Sequence, residues 1–118
     1  MARIFSLRRK STLALRQRKE RLRHLLKLCP DSIRASFVER YSVCGKRQCA
    51  CRHGGDKHGP FYYLTQCLGV GQMNKFLLKS SAQQQAAKNA IAHYRQFQEL
   101  LEELSQINTE LLRREEPL

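Results

Sequence analysis

The sequence predicts an α+β fold: a basic N-terminal helix, a small three-stranded antiparallel sheet with a zinc-knuckle-like loop, and a long C-terminal amphipathic helix. Three features of the chain lead there. Cysteines and histidines crowd the stretch from Cys44 to His58. Residues 61–68 and 73–79 are strand-like runs joined through Gly69-Val70-Gly71. From Ala86 to Leu111 apolar residues recur at heptad spacing. These features divide the chain into residues 1–30 (basic arm and helix), 31–81 (cysteine-rich knuckle and antiparallel sheet) and 82–118 (long, coiled-coil-like helix).

A chain of 118 residues is one domain at most, and one of this size buries a modest fraction of its surface. With 22 Lys/Arg against 10 Asp/Glu its formal charge is +12, which points to a polyanionic partner, nucleic acid before membrane. The charge is uneven: net +9 over residues 1–30, +5 over 31–81 and −2 over 82–118. No stretch reaches the ~18 consecutive apolar residues a membrane span requires, and the first ten residues lack the apolar run of a secretory signal. The expected compartment is the cytoplasm, where an odd count of five cysteines favours metal binding over disulfides.

Residues 1–10 read as a flexible basic arm. Ser11 or Thr12 is placed to cap a helix running to about Leu28, with Leu15, Leu22, Leu25, Leu26 and Cys29 on one stripe and Pro30 as its stop. The other face carries Arg16, Lys19, Glu20, Arg23 and Lys27, with Arg18 and Arg21 near its edges. A charge run of this kind is often a plain solvated face. Its near-total lack of acids makes phosphate contact the sharper reading, through Arg3, Arg8, Arg9, Lys10, Arg16, Arg18, Lys19, Arg21 and Arg23. Lys46, Arg47, Arg52, Lys57, Lys75 and Lys79 would add contacts from the sheet edge. Glu99, Glu102, Glu103 and Glu110 of the terminal helix are candidate partners for part of this charge.

Residues 33–43 form a first strand, and the knuckle follows. The spacing Cys44-x4-Cys49-x-Cys51-x6-His58 supplies three thiols and an imidazole, the donor set of a closed structural zinc site. His53 competes as the fourth ligand; Gly59-Pro60, which fixes the backbone after His58, favours His58. A reduced thiol cluster or an oxidation-dependent disulfide is the bland alternative. Lys46, Arg47 and Arg52 favour the thiolate form that binds metal. Cys29 and Cys67 read as small buried hydrophobes. Tyr62 falls on the face opposite Phe61 and Tyr63, and is either an outward aromatic beside Arg47, Arg52 and Lys57 or a half-buried one.

From Ser81 a helix is expected to about Arg113, with a seam of Ala86, Ala90, His93, Phe97, Leu100, Leu104, Ile107 and Leu111. It is expected to pack on the chain's own sheet or first helix near Ala86 to Phe97, while its distal positions, Phe97, Leu100, Leu104, Ile107 and Leu111, are expected to meet a second copy or a partner protein. His93 on this stripe reads as a hydrogen-bonded core histidine, and residues 115–118 are expected to fray.

At the centre of the chain, Arg40-Tyr41-x2-Cys44-Gly45-Lys46-x2-Cys49-x-Cys51 followed by His58-Gly59-Pro60-Phe61-x-Tyr63-Leu64 resembles the core of a family of short, uncharacterised prokaryotic proteins, several of them associated with transposons and other mobile elements. The resemblance runs from Ile33 to the end and implies this fold and that genomic setting. It transfers no activity. The unusually basic residues 1–30 and the uncharged connection between Leu68 and Asn74 depart from the pattern.

The expectation is therefore a small, basic, zinc-stabilised nucleic-acid-binding protein, with double-stranded DNA ahead of RNA and an accessory role in a mobile element as its setting. The alternative is a non-enzymatic adaptor that binds or dimerises through its C-terminal helix. An enzyme ranks third: catalytic zinc keeps an open position, and no paired carboxylate accompanies the cysteines and His58 in the sequence.

Overall fold

The structure is a computed structural model and describes residues 4–28 and 30–118; Arg3 and Cys29, both assigned roles from sequence, lie outside them. The elements are α1 (Ile4–Leu7), α2 (Thr12–Leu26), β1 (Ser36–Ser42), a 3-10 turn (Ala50–Arg52), β2 (His58–Gly69), β3 (Gln72–Leu77) and α3 (Ser81–Arg113). This is the α+β class expected, with a three-stranded antiparallel sheet in the order β1-β2-β3. The chain forms two compact units, one of the residues up to Ser32 with Ala92–Leu118, the other Ile33–Ile91.

In the helical unit, Ser11 caps α2 by accepting a hydrogen bond from the Ala14 amide at 3.1 Å. Leu15 and Leu22 stand two turns apart on one face, and both are fully buried with Ile107 and Leu111 of α3. Leu7 joins the same cluster, so the first ten residues are more than a basic arm: α1 returns an apolar side chain to the core. The filling of this core corrects the partner-helix expectation for Ile107 and Leu111, which are already covered within their own unit. Leu100 and Leu104 pack against the same cluster, and Phe97 stacks with Tyr94 at 6.3 Å.

Glu110 is the one buried charged residue among those described. It accepts from Arg113 at 2.7 Å and from Arg114 at 3.0 Å. Arg114 also donates to the carbonyls of Leu7, Arg8 and Lys10 and to the Thr12 hydroxyl. One carboxylate thus orients the guanidinium that fastens the end of α3 to the α1–α2 turn. The Arg113 hydrogen bond, helped by Arg114, brings its pKa down to about 2 against the opposing effect of burial. Residues 115–118 do not fray as expected: the Glu116 amide donates to the Leu111 carbonyl at 2.9 Å, and Arg16 donates to the Pro117 carbonyl at 2.8 Å.

In the sheet unit, β1 meets β2 with Phe37 opposite Leu64 and Arg40 opposite Phe61, and β3 meets β2 with Leu77 opposite Tyr63 and Lys75 opposite Thr65. Leu64 is buried with Leu78, Ala87 and Ile91, and Phe37 and Tyr62 pack on that cluster. Alternation along β2 therefore turns Tyr62 and Leu64 to the core and Phe61 and Tyr63 away from it. Tyr62, 5.2 Å from the Phe37 ring, is not the outward aromatic. Cys67 is exposed at the far end of the strand instead of buried. Ala86 and His93 are exposed as well, while Ala87, Ala90 and Ile91 are buried. A 3.6-residue helix turns away from a strict heptad line by ~20° per repeat, which moves the buried stripe off those two positions.

Two outcomes follow from this packing. Leu111→Ala should cost about 3 kcal/mol by cavity formation, read as a lower urea midpoint, whereas Leu112→Ala at an exposed position should change little. Because the folded pKa of Glu110 lies below its ordinary 4.5, its stabilising contribution is present above pH 4.5 and is lost as pH falls towards 2. Glu110→Gln should therefore lower the neutral-pH melting temperature and flatten its fall over that acid range.

Candidate metal centre

The connection from β1 to β2 begins just after Ser42 and ends at His58, which stand opposite each other in the register. Cys44 lies two residues beyond β1, Cys49 immediately precedes the 3-10 turn, Cys51 lies within it, and His58 opens β2. The turn folds the two close cysteines back toward the neck of the loop. The four ligand atoms all lie within 4.8 Å of one another, with Cys44 Sγ 3.7 Å from Cys51 Sγ and Cys49 Sγ 3.3 Å from His58 Nε2. This Cys3His cluster could hold a metal ion.

The surrounding backbone shapes the cluster. The Cys44 amide donates to Cys51 Sγ at 3.4 Å, and Arg52 Nε donates to the Cys44 carbonyl at 2.9 Å. The Cys51 amide, then the His58 side chain, bring the Cys49 thiol down to about 6, so it is largely thiolate at neutral pH. At Cys51 the Cys44 amide also favours thiolate, but burial and the adjacent thiols prevail and push it up. His53 Nε2 is 2.9 Å from the Arg47 carbonyl and closes the loop from outside; His58 is the imidazole beside the thiols. Gly59 has φ of +136°, and a Cβ there would lie 2.8 Å from the Arg40 carbonyl oxygen. Only glycine allows the two strands to approach this closely where the last candidate ligand enters.

The two units treat their basic residues differently. On α2, Arg18 makes a paired contact with Glu103, through Nε at 2.8 Å and Nη2 at 3.3 Å. Arg23 pairs with Glu20 at 2.6 Å, Arg16 with Glu116 at 3.5 Å, and Lys19 donates to the Leu118 carbonyl. Four members of the expected phosphate-gripping face are thus engaged inside the chain. Arg21 is exposed without an ion pair among the described residues, and Arg8, Arg9 and Lys10 are exposed around the α1–α2 turn. The sheet unit holds nine Lys/Arg against two Asp/Glu, a net +7, and among the described residues no ion pair joins them. Lys46, Arg47, Arg52 and Lys57 are exposed around the cysteine cluster.

The same stretch falls within a family match. Residues 14–67 match the model of a domain of unknown function (DUF6788). The match begins in α2, takes in all four candidate ligands and stops near the end of β2. No curated protein and no solved structure matches the chain.

The cluster predicts one metal ion per chain. Elemental analysis of protein purified under reducing conditions should show it retained in Cys67→Ser and His53→Ala and lost in Cys51→Ser. Gly59→Ala should weaken metal retention against a chelator and lower the melting temperature, since it forces both a positive φ and a close contact with the Arg40 carbonyl on a residue with a side chain.

Proposed function

We propose that this chain is a small nucleic-acid-binding protein, for DNA before RNA, whose Cys44, Cys49, Cys51 and His58 cluster holds a structural zinc ion. The observation that carries the nucleic-acid reading is the unpaired charge of the sheet unit, net +7 with its cations exposed around the cluster. Such a surface attracts phosphates at long range and gains affinity from released counterions. Relative to the sequence expectation, the grip shifts from α2 to the knuckle, because acids and carbonyls of the chain already occupy Arg16, Arg18, Lys19 and Arg23.

Zinc is supported by donor chemistry and fit. Bonds of ~2.3 Å to sulfur and ~2.0 Å to nitrogen give tetrahedral edges of ~3.8 Å between sulfurs and ~3.5 Å between sulfur and nitrogen. The 3.7 Å and 3.3 Å separations lie near those lengths. Bound there, the ion would supply a cross-link between the two strand ends, and four protein ligands would leave it no open position for catalysis. The function proposed is accordingly non-enzymatic. An accessory role in a mobile element follows from the family resemblance alone. The second reading, an adaptor, has one observation in its favour: Leu101 and Leu112 are exposed on α3.

Titration of metal-loaded protein against labelled DNA over a range of salt tests both. Replacing Lys46, Arg47 and Lys57 by alanine should reduce the slope of log affinity against log salt by about 2 to 3. Replacing Arg16, Arg18 and Arg23 should alter it much less. The reverse pattern would return the grip to α2, and a stable complex with another protein without nucleic-acid affinity would favour the adaptor.

A further inference from the structure

We infer that the open face of the sheet binds single-stranded nucleic acid, with Phe61 and Tyr63 as stacking platforms for successive bases. This rests on the nucleic-acid reading above and specifies which form is bound.

The sheet has one face packed and one not. α3 covers the first through Ala87 and Ile91 against Leu64. The other carries Phe61 and Tyr63 on the central strand, with Arg40 and Val38 opposite them on β1 and Leu77 opposite Tyr63 on β3. Phe61, Tyr63 and Val38 are only half-buried, and Leu77 is exposed. Lys75 lies over the Tyr63 ring with Nζ 4.7 Å from its centre. An ammonium on a flexible stem is a replaceable cover. A base can take its place on the ring while the lysine moves to the neighbouring phosphate.

Charge selects the occupant. The strand positions of this face include Arg40 and Lys75 and no acid, since Glu39 belongs to the other face opposite Tyr62. An apolar, aromatic centre flanked only by cations complements a ligand with flat apolar bases and anionic links. Two rings two residues apart on a strand are separated by ~7 Å, room for neighbouring unstacked bases to meet one ring each. A duplex hides its base faces in the stack and offers this surface only phosphates; a single strand offers both. β2 begins at His58 of the knuckle, whose Lys57 and Arg47 are exposed and add positive charge near the Phe61 end of the strand.

The test is fluorescence anisotropy with metal-loaded, full-length protein and one 20-nucleotide sequence as single-stranded DNA, single-stranded RNA and duplex DNA. Either single strand should bind more tightly than the duplex; comparing DNA with RNA shows whether the 2′-hydroxyl matters. Phe61→Leu and Tyr63→Leu keep apolar bulk in the strand and remove the aromatic face. Each should lower single-strand affinity about tenfold, with the salt slope and duplex affinity unchanged, and Tyr63→Phe should restore it. Tyr62→Phe on the packed face should have no effect. Metal content and circular dichroism of each variant establish that it is folded. Equal affinity for single strand and duplex, or leucine variants that bind like the parent, would overturn the inference while leaving the nucleic-acid reading intact. Absence of binding to all three probes would remove that reading as well. An oligomer dispersed by the leucine substitutions would assign the face to a second copy instead.

Discussion

The β1–β2 connection is the constraint on which the sheet unit depends. It is a long loop, and closing it costs chain entropy that few apolar contacts repay. Cys51 is the only residue between β1 and β2 that is buried. The loop is instead organised by polar contacts: the 3-10 turn, the Arg52 bond to the Cys44 carbonyl, the His53 contact with Arg47 and the convergence of three thiols on His58. Three thiolates and a divalent ion would sum to one negative charge, which the surrounding Lys46, Arg47, Arg52 and Lys57 oppose. The cations that favour the thiolates also leave the outside of the loop positive.

Both units carry a positive net charge, but they differ in how it is met. Arg18 with Glu103 ties α2 to α3, Arg114, oriented by Glu110, ties the end of α3 to the α1–α2 turn, and Arg23 with Glu20 answers charge within α2, all around a leucine and isoleucine core. Burial makes Glu110 the most consequential of these acids, because a carboxylate removed from water depends on the two guanidiniums beside it. The sheet unit has no comparable set of acids. Its charge is left facing solvent, and a polyanion is the partner that the proposed function assigns to it.

Much of this was legible in the sequence because it depends on short-range patterns. Ser11 as a cap, Pro30 beyond α2, the glycines between β2 and β3, and the start of α3 at Ser81 are local signals, and the four clustered ligands have a spacing that a single turn can bring together. What was hidden depends on contacts distant in sequence. Nothing near Arg16 reveals that residue 116 reaches it, and nothing near Leu7 reveals the space beside Leu15 and Ile107. The face of Tyr62 was equally hidden. Alternation separates Tyr62 from Phe61 and Tyr63 but does not say which set is inward; Phe37 and Leu78 decide that by covering Leu64 and its neighbours.

The cluster and the open sheet face are linked through the register of β2. The strand presents a candidate ligand at its first residue, His58, and its outward rings at Phe61 and Tyr63. Between them the pairing shifts, as Ser42 stands opposite His58 but Arg40 stands opposite Phe61. A slip of one residue would exchange the faces, sending Phe61 and Tyr63 inward and exposing Tyr62 and Leu64. Leu64 resists that slip from the core side, through Leu78, Ala87 and Ile91. At the opposite end of the strand, the contact of the His58 imidazole with Cys49 and the close passage of Gly59 by the Arg40 carbonyl resist it. A metal ion held by the four side chains would pin that end more firmly than the thiol contacts alone, and so would act on the proposed stacking surface through strand register without touching the bound strand.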